Sequence, residues 1–230
     1  MLDKQYSILF WGKPNNCVTI DSVVECYRNI FDCFDRDYDF ISDLMIKFNG
    51  KYTAKEKVNL NSVVFKGVNK EQSNLFPELG YRVEFKLLIC GRPAYGSILL
   101  GATNCKVTNT FSLQIPCEIS LDNAFAREDL IKLFKAVSHG YDWYWGAIAD
   151  NLAIRKYKSL YENGKPATVF MINYFDQTVF DKVNSCITED LIRKYGIKAA
   201  DNIVEFDYAL MYDDDIEKLN GILLDGSNDL

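Results

Sequence analysis

The chain predicts an α+β fold, a mostly antiparallel sheet with helices packed on it, in a single domain over residues 1–230. Three observations carry this expectation. Residues 83–115 hold three apolar strand-like segments joined by short polar links, and short links join only antiparallel neighbours. Segments with apolar residues at 3- and 4-residue spacing lie on both sides of them. Nothing repeats, and no low-complexity linker divides a length that one core can serve, up to ~250 residues.

The elements follow in order. Tyr6–Trp11 (YSILFW) reads as a buried strand ended by Gly12 and Pro14. Asp21 or Thr19 caps a helix whose Val23, Val24, Tyr27, Ile30, Phe31 and Phe34 share one face. Phe40–Phe48 fits a helix end followed by a strand, closed by Asn49-Gly50, and Asn61 to about Lys70 fits a short helix. Val83, Phe85, Leu87 and Ile89 have the two-residue period of a half-buried strand. A turn at Gly91–Pro93 and strands Ser97–Thr103 and Thr108–Ile115 complete a meander that Pro116 closes.

Ala126–Val137 is an amphipathic helix with Leu130, Ile131, Phe134 and Val137 as its stripe. The following segment, SHGYDWYWGAIAD at 138–150, holds two of the three Trp and the one His, and reads as a turn and a strand. Simple alternation puts Asp142, Tyr144 and Gly146 on one face and Trp143, Trp145 and Ala147 on the other. Residues 151–162 look helical, Gly164–Pro166 a turn, Ala167–Tyr174 a strong strand, and Thr188–Tyr195 a helix ended by Gly196. Ile203–Met211 reads as a last strand and Asp214–Leu224 as a last helix with Asp213 at its N-cap. Residues from about 225 to 230 fray.

No apolar run reaches the length of a membrane span, and the opening MLDKQYSILFWGK lacks the order of a secretory signal, so the expected location is cytoplasmic. Seven Cys, an odd number with no C-x-x-C pair, read as free buried thiols rather than disulfides or a zinc site. The net charge is −6 but unevenly spread. Residues 205–230 carry eight acids against Lys218, a local −7, so the other 204 residues sum to +1. A nucleic-acid binder would show a basic stripe, so no direct nucleic acid is expected; an acidic end suits a basic protein partner or a solvated face.

Catalytic residues are few. A nucleophile needs an adjacent base, and His139 is the one imidazole. It falls at a helix end before Gly140, where a cap is the plain role. Asp213-Asp214-Asp215 lacks the alternating ligands and Gly of a calcium loop. GRPAYG at 91–96 lies between strands and is no phosphate cradle, and neither phosphate-loop motif occurs. RKYKSLY at 155–161 reads as an amphipathic helix with a basic outer side. No catalytic residue, metal ligand or cofactor is expected, and the profile suits a binding protein.

Two segments in a fixed order carry a resemblance. LFWGK at 9–13 precedes an amphipathic helix, and Asp142-Trp143-Tyr144-Trp145-Gly146 precedes a helix and the apolar TVFMINY at 168–174, with the meander between. The order resembles the immunity protein 52 family of bacterial polymorphic toxin systems across about residues 6–224. The chain departs from the family's pattern at 175–202 and in its acidic end. The resemblance implies a non-enzymatic antitoxin that binds a cognate toxin domain, commonly a nuclease, with Phe10, Trp11, Gly12, Trp143, Trp145 and Gly146 as the matched motif. The expected partner-facing residues are Tyr141, Asp142 and Tyr144 on the strand, and Asp213, Asp214 and Asp215 as charges steering toward a basic cleft. A hydrolase working through paired carboxylates, and a non-toxin adaptor of a phage or mobile element, are the competing expectations.

Overall fold

A computed structural model describes residues 5–12, 14, 19–35, 38–71, 74–104, 106–121, 123–156, 161–162, 165–166, 168–207, 210 and 213–225, with the side chains of 161, 162, 165, 213 and 225 outside that description. The strands are β1 (Tyr6–Gly12), β2 (Ile41–Phe48), β3 (Lys51–Ala54), β4 (Val68–Glu71), β5 (Asn74–Ile89), β6 (Arg92–Ala102), β7 (Asn109–Gln114), β8 (Trp143–Asp150), β9 (Tyr161–Glu162), β10 (Lys165–Pro166), β11 (Ile172–Phe175), β12 (Lys198–Ala200) and β13 (Ile203–Glu205). The helices are α1 (Ile20–Asp32), α2 (Leu60–Lys66), α3 (Ala124–Ser138), α4 (Asn151–Lys156), α5 (Gln177–Cys186), α6 (Glu189–Tyr195) and α7 (Asp213–Asn220), which runs into a π turn over Gly221–Asp225.

Among the described residues eleven strands form one antiparallel sheet in the order β12-β13-β11-β8-β1-β7-β6-β5-β2-β3, with β4 also on β5. The α+β expectation therefore holds, on a larger sheet than periodicity suggests. The meander β5–β6–β7 is its middle, and β7 passes the ladder to β1. Turn chemistry sets the registers. Asn49-Gly50 (φ 51° and 78°) joins β2 to β3, and Cys90-Gly91 (φ 51° and 73°) joins β5 to β6, both with the left-handed pair of a two-residue hairpin. The second turn lies one residue before the expected Gly91–Pro93, so Pro93 is already strand, opposite Leu88.

Helices pack on both faces. On one face α1 buries Val23, Val24, Tyr27, Ile30 and Phe31, and α3 buries Leu130, Leu133, Phe134 and Val137, against Phe10, Phe85 and Phe111 of the sheet. Each buried aromatic contributes roughly 2–3 kcal/mol of transfer free energy. Thr19 caps α1 by accepting from the Ser22 amide, as expected. On the other face Val183, Leu191, Tyr195, Leu219 and Leu223 of α5–α7 and the π turn pack with Trp145, Ala147, Val204 and Phe206.

Several expectations are corrected. Phe40–Phe48 contributes no helix end: Ile41–Phe48 is strand, irregular between Ser42 and Met45, where Asp43 takes φ 54°. Ala167–Tyr174 is strand only from Ile172. Asn173 accepts from the Phe170 amide (2.8 Å) and donates to its carbonyl (2.6 Å), and Asn220 accepts from the Val169 amide (2.8 Å), so Thr168–Met171 leaves the ladder. The helix expected over 151–162 is described over Asn151–Lys156 and does not include Tyr161-Glu162, which pairs with Lys165-Pro166; residues 157–160 lie outside the described ones. Ile203–Met211 is strand only to Glu205, because the amides of Phe206 and Asp207 turn to the carbonyls of Met171 and Tyr195. α5 was not expected at all; its N-cap, Asp176, accepts from the Val179 amide. α7 begins at Asp213 rather than being capped by it. The expected fraying over about 225–230 falls largely on 226–230, outside the described residues.

Of the Cys, Cys33 is buried, Cys26 and Cys186 are half-buried, and Cys90 and Cys117 are exposed. Cys26, Cys90 and Cys186 are free thiols, but the expectation of buried thiols fails at Cys117 and at Cys90, which occupies a turn. Cys17 and Cys105 lie outside the described residues. No helix among the described residues is long and apolar enough to cross a membrane.

Candidate functional site

The aromatic segment at 141–146 is split by a β-bulge. Trp11 of β1 faces Trp145 and Gly12 faces Trp143, so one residue on β1 spans two on β8 and Tyr144 is the extra one. A bulge reverses the side-chain alternation. Trp143 therefore joins Phe10, Phe134 and Tyr141 on one face, while Trp145 stacks with Trp11 (4.3 Å) and Phe170 on the other. The expectation that both Trp share a face is overturned. Gly146 stays Gly because the Phe10 ring covers it: a Cβ there would lie 2.3 Å from that ring.

The strand residues expected to face a partner are partly structural. The Tyr141 hydroxyl accepts from Nδ2 of Asn109, which is fully buried, and the ring packs on Trp143. Tyr144 is half-buried in the α5–α7 core; burial pushes its phenol pKa up, and the Asp176 carboxylate adds to this. Tyr174 beside it is raised by burial, then by Asp176 and Asp142. Asp142, Tyr144, Tyr174 and Asp176 thus form one neighbourhood, in which Asp142 is exposed.

The acidic run belongs to a different packing unit and does not present three free charges. Asp215 is 8% exposed, accepts from the Tyr195 hydroxyl (2.8 Å) and pairs with Lys194 (3.4 Å). Its place at helical spacing beside buried Leu219 turns it inward, which corrects its assignment as a steering charge. Asp214 is exposed, and the Asp213 side chain lies outside the described residues. His139 is the C-cap of α3, its Nδ1 2.6 Å from the Lys135 carbonyl, so that nitrogen carries the proton. Among the described residues no group of three or more His, Cys, Asp or Glu could hold a metal ion.

What periodicity missed is a sheet face. α5–α7 pack only at the β8–β11–β13 end. Over β2, β3, β5, β6 and β7 the same face is open: Lys47, Arg82 and Gln114 are exposed, and Glu84, Lys86, Ser97 and Ser112 are half-exposed. Registers place Tyr52 opposite Lys47, and Glu84, Ser97 and Ser112 in a row that the Lys47–Glu84 ion pair joins to them, with Lys86, Tyr95 and Gln114 in the next. Tyr52 (37% exposed) and Tyr95 (48%) meet edge to face at 6.1 Å. The alternating charges of RVEFK at 82–86 were the available signal.

Two recesses flank the β2–β3 hairpin. One, of about 420 Å³, is lined by Asp35, Asp39, Asp43 and Glu56 together with Phe34 and Tyr38. Lys55 bridges Asp32 and Asp35 nearby. The other, of about 430 Å³, is lined by Lys47, Lys66, Lys70 and Arg82 against Glu84, with Phe48. It exists because β2 and β4 pair with different parts of β5, at Phe85–Ile89 and Asn74–Tyr81, leaving Arg82–Glu84 between them.

With that geometry the chain has a solved counterpart. It is similar to the Pseudomonas aeruginosa T6SS protein PA0821, with a TM-score of 0.54 over 96% of this chain and 75% of that one, at 10% identity. The shared property is the fold. No protein-family model and no curated protein matches the chain.

Proposed function

We propose that this chain is an immunity protein that binds a cognate toxin domain, a nuclease, and neutralises it by protein–protein contact. The observation that carries the reading is the open sheet face: a rigid five-strand surface with two exposed Tyr, a composition suited to protein recognition. The fold likeness to a protein described as belonging to a T6SS supports it, as does the resemblance of LFWGK and DWYWG to the immunity protein 52 family.

Steric block follows from such a surface without chemistry. A standard interface buries roughly 800 Å² per partner. Rigid strands lose little entropy on docking, so the contact energy is retained as affinity. The test is co-expression with the neighbouring gene, whose product this reading takes to be the toxin. Restored growth and co-purification of the two chains are expected. Continued killing by the toxin with this chain fully expressed would end the proposal.

A further inference from the structure

We infer that the partner docks through an acidic surface, seated on the open sheet face at its basic end. This rests on the immunity reading and names the chemistry of the surface that binds. The chain carries a net −6, yet the open face bears Lys47, Arg82 and Lys86 against Glu84, with Asp43 at the irregularity of β2 as the other carboxylate of its β2–β5 end. Glu84 is already paired with Lys47. The recess at the fork of the sheet adds Lys66 and Lys70, so its lining holds four cations and one carboxylate. Such a patch attracts acidic groups and repels basic ones while encounter is still diffusional.

The geometry suits a protein rather than a bare ion. Lys47, Arg82 and Lys86 stand on neighbouring strands about 4.8 Å apart, next to a recess that would take a carboxylate-bearing loop. Tyr52 and Tyr95 stand at the same end and supply anchors that a lone anion would not use. A consequence follows for a nuclease partner. Its nucleic-acid cleft must be basic. This face is repelled there and grips an acidic surface beside it, so inhibition does not imitate nucleic acid.

The test measures association of the purified toxin domain with the intact chain at low and high salt. The variants are Arg82→Glu with Lys86→Glu, Lys66→Glu with Lys70→Glu at exposed sites on the recess, Tyr52→Ala with Tyr95→Ala, and Asp35→Asn with Asp39→Asn and Asp43→Asn. Melting temperature checks that each folds, and the recess pair stands in if the sheet pair does not. Charge reversal should slow association at low salt by about tenfold or more and flatten its salt dependence. The Tyr pair should speed dissociation by about tenfold or more. If wild type binds and rescues growth while the Lys and Arg variants associate at the wild-type rate, the inference fails and the immunity reading stands. Slower association in the Asp variant alone overturns it in favour of the acidic recess. A wild type that neither binds nor rescues removes the immunity reading and this inference with it.

Discussion

Trp11 and Trp145 stack across the β1–β8 pair, ring centroids 4.3 Å apart and planes 17° from parallel. Trp143, two residues away, lies on the opposite face and donates from Nε1 to the Val137 carbonyl at 2.9 Å, whereas the buried Nε1 of Trp145 has no hydrogen-bond partner among the described residues. Replacing each by Phe separates these roles. Trp143→Phe removes a made bond, and Trp145→Phe removes an unmade one. Trp143→Phe should be the more destabilising by about 1 kcal/mol, read from urea midpoints at constant slope.

Two glycines sit under rings. A Cβ at Gly96 would lie 2.1 Å from the Phe85 ring, and one at Gly146 2.3 Å from Phe10. Gly96→Ala and Gly146→Ala should each cost roughly 1–3 kcal/mol through overpacking. Phe85→Leu should cost less in the Gly96→Ala background than in wild type, because the ring tip that clashes is gone. Additive melting-temperature losses would show that the ring is not the obstacle.

Asp215 and Asp214 are neighbours with different work. Asp215→Ala removes the carboxylate that accepts from the buried Tyr195 hydroxyl and should cost about 1–3 kcal/mol. Asp214→Ala, at an exposed position, should stay within about 0.5 kcal/mol. Equal effects in chemical denaturation would return Asp215 to the surface.

Tyr27 links stability to pH in the alkaline range through its buried phenol. It is fully buried between α1 and the sheet, its hydroxyl donating to the carbonyls of Tyr81 and Ile98 (3.1 Å to the latter). Burial pushes its pKa up, far above the ~10 of the unfolded chain. A raised folded value means the contribution is complete below pH ~10 and is lost as pH rises beyond it. Tyr27→Phe should cost about 1–2 kcal/mol at neutral pH and reduce the slope of stability against pH above ~10. An unchanged slope in denaturation across that range would refute this role.

Much of the fold was legible because periodicity reports burial. The α1 face Val23, Val24, Tyr27, Ile30 and Phe31, with Phe34 just beyond the helix, is buried as its spacing predicts, and the meander has its expected order. The errors arose where side chains take over backbone bonding. Asn173 and Asn220 draw Thr168–Met171 out of a strand that composition favours, and Asp176 caps a helix inside the stretch 175–202, where the chain departs from the family's pattern. Of the expected partner residues, Asp142 and Asp214 are exposed, whereas Tyr141 and Asp215 are tied into buried hydrogen bonds.

The sequence by itself determined the α+β class, the meander, the α1 and α3 faces and the capping role of His139, because these follow from local spacing and chain direction. Only the tertiary structure decided which face each Trp takes, since one extra residue at Tyr144 reverses an alternation that the letters leave unbroken. It also decided where charge is free. Asp215 turns inward while Lys47, Arg82 and Lys86 gather on an uncovered face, a placement set by strand register across β2 and β5 and by where the helices stop.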